Sequence, residues 1–138
     1  MTPEQMNRKP AIALSAVVLS AGFSSRMHQF KPLLKFGEVP MLEVVIRLFL
    51  QCGIQDILVV TGYNHSLVEP IIQKTGARAV FNPGFETGML GSIQRGVAQV
   101  SRSSQGFFLL PVDIPAIRPS PILALAKAFE TAREGLII

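Results

Sequence analysis

The feature that most limits the fold is an alternation of two hydrophobic periods along the chain. Apolar runs at 11–19, DILVV (56–60), ARAVF (77–81) and GFFLL (106–110) are separated by stretches whose apolar residues recur at helical spacing. Short, nearly continuous apolar runs fit strands buried on both faces of a sheet. Leu42, Val45, Ile46, Phe49 and Leu50 fall at i, i+3, i+4, i+7 and i+8, one face of a helix closed by Gly53. Ser66 and Glu69 have capping-box spacing for a second helix ending near Gly76, with Pro70 removing a backbone donor close to its start. Met89, Ile93, Val97 and Val100 mark the apolar stripe of a third. Ser120 as N-cap, Pro121 at the first helical position and the face Ile122, Leu125, Ala126 and Phe129 mark a fourth, ended by Gly135. Strand alternating with helix implies βαβ units, hence a mainly parallel sheet with helices on both faces.

The 138 residues suit one domain, residues 10–138, behind a polar segment 1–9 expected to be disordered. Repeats, linkers and low-complexity segments are absent. Leu136-Ile137-Ile138 reads as the start of a further strand, so the domain is expected to be incomplete at its C-terminus.

Composition removes several functions. With 49% hydrophobic and 16% charged residues the chain is neither disordered nor fibrous. It has no Trp and one Tyr, too few aromatics for a base-stacking surface that binds single-stranded nucleic acid. The net charge of +4 is scattered rather than blocked, which favours phosphates on small molecules over nucleic acid. Cys52 is the sole cysteine, so no intrachain disulfide forms, and with His28 and His65 it cannot close a zinc site. A cytoplasmic location follows naturally. Arg8 and Lys9 before the first apolar run, with Leu19-Ser20-Ala21 after it, also fit a signal peptide, but the run is too short to span a membrane.

Open α/β sheets bind ligands beyond the carboxyl ends of their strands. After the first run come Gly22, Ser24, Ser25, Arg26 and Lys31. Neither a Walker loop nor GxGxxG is present, yet small residues with a bidentate Arg and a Lys suit an anion. A plain strand-to-helix turn carrying solvated basic residues explains the same residues. Asp113 follows the fourth run, where a carboxylate suits Mg²⁺ shared with substrate phosphates, or simply a turn beside Pro115. NPGFETGMLGSI (82–93) places Gly88, Gly91 and Ser92 at a helix start, able to read a base or ribose, or to serve as loop glycines with a capping serine. No nucleophile with a partnered base is visible, and Cys52 reads as core.

Together these segments resemble the MobA-like nucleotidyltransferases, the family of the molybdenum cofactor cytidylyl- and guanylyltransferases. The family signature L-A-A-G-x-S-x-R-M-G, followed by a lysine, stands here as Leu19-Ser20-Ala21-Gly22-Phe23-Ser24-Ser25-Arg26-Met27-His28, then Lys31. Asn82-Pro83 with Gly88-Met89 and Ser92 looks like N-P…G-M-x-x-S, and Asp113-Ile114-Pro115 like D-x-P. Order and spacing agree from about residue 12 onward, which favours a strand over a signal peptide.

The resemblance implies a three-layer α/β/α, Rossmann-like nucleotide-diphospho-sugar transferase fold and an Mg²⁺-dependent nucleotidyl transfer. Leu19, Ser20, Ala21 and Gly22 would then seat the base. Ser24, Arg26 and Lys31 would meet the triphosphate, Asn82, Gly88 and Ser92 the base or ribose, and Asp113 the metal. In the family, Ala at the third loop position goes with CTP and Gly with GTP, so Ala21 points to CTP and a molybdopterin acceptor. His28 stands where the family has Gly. Rival readings are a transferase using GTP or acting on a sugar or alcohol phosphate, and a catalytically silent nucleotide-binding regulatory domain. No nucleic-acid or membrane partner is expected.

Overall fold

The computed structural model describes residues 13–21, 31–112 and 119–132. Four strands form one parallel sheet: β1 (Leu14–Leu19), β4 (Asp56–Thr61), β5 (Arg78–Phe81) and β6 (Gly106–Pro111). Their order across the sheet is β5-β4-β1-β6. Between β1 and β4 lie a 3-10 turn (Lys31–Leu33), a small antiparallel hairpin of β2 (Lys35–Phe36) and β3 (Val39–Pro40), and helix α1 (Met41–Gln51). Helix α2 (His65–Thr75) joins β4 to β5. A 3-10 turn (Phe85–Thr87) and α3 (Met89–Ala98) join β5 to β6, and α4 (Pro119–Ala132) follows.

Strand geometry explains the layers. Successive side chains point to opposite faces, so Ala16 and Val18 of β1, with Ile57 and Val59 of β4, meet Leu42, Ile46 and Phe49 of α1, Val68 and Ile72 of α2, and Ile122 and Ala126 of α4. Val17 and Leu19, with Leu58 and Val60, form a second core on the α3 side, joined by Ile93 and Phe85. Ala16, Val17, Val18, Leu58, Val59 and Val60 are all fully buried. Two-sided burial is why β1 and β4 read as continuous apolar runs rather than alternating ones. The expected three-layer α/β/α arrangement is therefore present.

Several expectations need correction. The Ser66–Glu69 capping box does not form: α2 begins at His65 after Asn64, which adopts a left-handed conformation (φ 56°), and no side chain caps the helix. Glu69 instead meets His65 Nδ1 at 3.1 Å. Pro70 lies inside α2, past its first turn, and withholds one backbone donor from the helix ladder. The described part of helix α4 already includes Pro119 and Ser120, so Ser120 lies within the helix and not at its cap.

The apolar stripe assigned to α3 holds only in part: Ile93 and Val100 pack against the second core. Met89 and Val97 are exposed, Val100 lies past the helix end, and the buried residues are Ser92 and Gly96. The reason is close approach. A Cβ on Gly96 would lie 2.5 Å from Val17 Cγ1 and 2.8 Å from Val60 Cγ2, so the helix backbone itself rests on the sheet. The β2–β3 hairpin has two residues in each strand, too few to leave a period in the sequence. Residues 1–9, Gly135 and the run 136–138 lie outside the described residues.

Candidate functional site

Where strands run parallel, their carboxyl ends form one edge, and here two of the motif segments, with the residues that follow β4, meet on it. At the exit of β1, Leu19, Ser20 and Ala21 are buried. Ser20 donates to the Val60 carbonyl from its backbone N–H (2.9 Å) and its hydroxyl (3.1 Å), which locks the end of β1 onto β4. Ala21 faces the α3 side, packed with Leu19, Val60 and Phe85. Gly62, just past β4, completes this contact. A Cβ there would lie 2.5 Å from Phe85 Cβ and 3.1 Å from the Ala21 Cβ, so only a residue without a side chain lets the 85–87 turn settle over the strand ends. The Tyr63 and Phe85 rings continue the layer, their centroids 6.3 Å apart.

Asn82 follows β5 and is buried. Its backbone N–H extends the ladder to the Thr61 carbonyl (2.8 Å). Its Oδ1 accepts from the Gly84 N–H (2.9 Å), and its Nδ2 donates to Ser92 Oγ in the first turn of α3 (2.9 Å). Between them the chain turns at Thr87, whose hydroxyl donates to the Gly84 carbonyl (2.7 Å), and at Gly88. Gly88 has φ 118° and ψ 172°, a conformation open essentially to glycine alone. No side chain caps α3, so backbone donors of its first turn remain at this edge.

Thr61 adds an unexplained group. It is fully buried at the end of β4, and its Oγ1 finds no hydrogen-bond partner among the described residues. A buried unpaired hydroxyl costs on the order of 1–3 kcal/mol.

On the other side of β1, the Val112 N–H donates to the Leu19 carbonyl (3.0 Å), which brings the chain past the end of β1 one residue before Asp113. Asp113, Gly22, Ser24, Arg26 and His28 lie outside the described residues, as does the Lys31 side chain, although its backbone forms part of the 3-10 turn. Of the ten residues proposed for nucleotide, six are thus placed at the carboxyl side of the sheet: Leu19, Ser20, Ala21, Asn82, Gly88 and Ser92. Among the described residues no group of three or more His, Cys, Asp or Glu could hold a metal ion. Gly62 and Phe85 were not singled out by the motifs. The signal available for Gly62 was a glycine directly after a buried run.

The other polar groups are structural. Cys52 is buried and burial pushes its thiol up, consistent with a core residue rather than a nucleophile. At the amino edge of the sheet, burial pushes the Asp56 carboxyl up, but donors from Ser15 (2.6 Å), the Ser101 N–H (3.0 Å) and Arg78 (2.7 Å) bring it below its ordinary value. Ser15 also meets Ser104. Glu43 of α1 receives Lys74 of α2 (2.9 Å) and Arg47 (2.8 Å), which hold its carboxyl below the usual range. No helix among the described residues is long and apolar enough to cross a membrane.

An α/β/α sheet with glycine turns and backbone donors gathered at its carboxyl edge defines a nucleotide-binding class of fold. Residues 16–138 match the MobA-like NTP transferase domain, and the chain belongs to that family. It is 30% identical over 128 residues to the molybdenum cofactor cytidylyltransferase of Escherichia coli, covering 91% of this chain and 63% of that protein. It is also 30% identical over 125 residues to a probable molybdenum cofactor guanylyltransferase of Trichormus variabilis, covering 90% of this chain and 57% of that one. The solved structure of a nucleotidyl transferase from Methanothermobacter superposes with a TM-score of 0.72 at 28% identity, over 83% of this chain and 57% of that one. The chain thus spans less than two thirds of these relatives.

Proposed function

We propose that this chain forms the nucleotide-binding part of an Mg²⁺-dependent nucleotidyltransferase that transfers CMP from CTP to molybdopterin. The observation carrying the reading is the convergence of the motif segments 19–21 and 82–92 on one sheet edge, packed together across Gly62. Ala21 directs the choice to CTP, and the resemblance to the E. coli cytidylyltransferase supports the acceptor.

The chemistry needs little from the protein. A phosphate oxygen of the acceptor forms a bond to the α-phosphorus of CTP. The bond from that phosphorus to the bridging oxygen breaks, and pyrophosphate leaves with the electron pair. No protein nucleophile is required, in keeping with the buried Cys52. Arg26 and Lys31 neutralise the triphosphate, and Gly88 and the first-turn donors of α3 hold the base or ribose. Asp113 would hold Mg²⁺, which would supply charge neutralisation at the phosphates.

A second reading, GTP in place of CTP, is favoured by the equal identity to the guanylyltransferase relative. Calorimetric titration of CTP and GTP with and without Mg²⁺ separates the two. CTP binding that tightens with Mg²⁺ supports the proposal, and tighter GTP binding overturns the base assignment. A folded chain that binds neither overturns the nucleotide reading.

A further inference from the structure

The Asn82 carboxamide carries an assignment that can be made without seeing hydrogens. The Gly84 N–H can only donate, so the carboxamide atom facing it must be the oxygen. The amino group then faces Ser92, and because it can only donate, Ser92 Oγ must accept. The Ser92 proton is consequently turned away from Asn82. No acceptor takes it among the described residues.

The carboxamide is enclosed by the loop it binds. A Cβ on Gly84 would lie 3.5 Å from Oδ1, and one on Gly91 would lie 3.8 Å from Nδ2. Both ends of the 83–91 excursion are therefore pinned on a single buried side chain, and each polar atom of the Asn82 carboxamide is engaged in holding the loop. Yet the segment it pins contains Gly88 and the uncapped start of α3, the backbone proposed above to meet the nucleotide.

We propose that Asn82 is a positioning residue of the nucleotide edge: it fixes loop 83–91 and presents the Ser92 hydroxyl as a hydrogen-bond donor to an oxygen of the nucleotide's base or ribose. The inference rests on the nucleotidyl-transfer reading and refines it, since direct contact passes from Asn82 to Ser92. Asn82 acts through its donor–acceptor polarity. An aspartate of the same size would still accept from Gly84, but its second oxygen would face Ser92 and turn the hydroxyl proton inward.

The test is a cycle of Asn82→Asp, Ser92→Ala and the double variant in the 138-residue chain. Mg²⁺–CTP and Mg²⁺–GTP affinities are read by calorimetry and folding by thermal melts. Ser92→Ala should weaken the preferred nucleotide roughly five- to tenfold, the scale of one neutral hydrogen bond. Asn82→Asp should do at least as much, and little further loss should follow when it is added to Ser92→Ala. Independent, multiplying effects would mean that the new charge repels the triphosphate directly, and would overturn the proposal. Wild-type affinity in Ser92→Ala would overturn it equally. Should Asn82→Asp fail to fold, Ser92→Thr decides: it must keep the affinity that Ser92→Ala loses. A wild-type chain that binds no nucleotide overturns the transferase reading and this proposal together, whereas wild-type binding with uncoupled variants overturns this proposal alone.

Discussion

Thr61 and Gly88 are two residues at the same sheet edge whose side chains, one present and one absent, make opposite demands. The Thr61 hydroxyl is buried without a partner among the described residues. Thr61→Val keeps the branched shape and removes the unpaired oxygen, so the urea midpoint should rise by the equivalent of about 1 kcal/mol with an unchanged slope. A fall in the midpoint would mean that the hydroxyl is satisfied in solution. If stability rises while Mg²⁺–nucleotide affinity drops, the hydroxyl serves the ligand. Gly88 is the reverse case. A Cβ there would meet no atom within 4 Å, so any cost of Gly88→Ala is backbone strain at φ 118°. That strain is about 1–3 kcal/mol. The loop can relieve it by moving, because Gly88 is exposed. Nucleotide affinity should therefore fall by more than folding stability does. Equal losses in both would place the effect in the fold.

Helix α3 is the element on which sequence and structure differ most, and the difference has a physical origin. Periodicity finds the most apolar stripe and assumes that it faces the core. Here the helix approaches the sheet so closely that the facing positions are Ser92 and Gly96, while Met89 and Leu90 are exposed. Small residues at a contact carry no hydrophobic signal, so Gly96 was invisible to a period count. It also gives a sharp test, because two effects oppose each other at Gly96→Ala. Helix propensity favours alanine by about 1 kcal/mol. Overpacking against two β-branched side chains, both fully buried, costs about 1–3 kcal/mol. With contacts as short as 2.5 Å, overpacking wins, and the variant should be less stable. A stabilised variant would mean that α3 sits farther from the sheet. By contrast α1 was legible but for one residue: Leu42, Val45, Ile46 and Phe49 are all buried on one face, as their spacing requires, while Leu50 at the edge of that face is exposed.

Across the whole molecule, legibility follows sequence distance. The parallel sheet could be read because β1 and β4 announce their two-sided burial and β5 and β6 stand out as short apolar runs between helical stretches, each signal being contiguous in sequence. The Asp56 network could not. It joins Ser15, Asp56, Arg78 and Ser101 from four separate parts of the chain, and nothing local marks any of them. It lies at the amino end of β4, the opposite end from Thr61 and the nucleotide edge. Stability and binding are therefore separable here by pH and by mutation. Three donors bring the Asp56 carboxyl below its ordinary value of 3.8. A carboxyl whose pKa is lower folded than unfolded contributes stability that is full above the unfolded value. That contribution is lost as pH falls from there through the folded pKa. Glu43, lowered from 4.5 by Lys74 and Arg47, acts in the same direction as pH falls below that value. Asp56→Asn should cost about 1.5–3 kcal/mol at neutral pH, the scale of hydrogen bonds to a charged group. The gap between the two proteins should narrow as pH drops below 3.8, measured by urea unfolding across an acid series. Nucleotide affinity at neutral pH should stay at the wild-type level. Parallel stability curves would show that the Asp56 charge is not what its neighbours hold, and a loss of affinity would show that the two ends of the sheet are coupled.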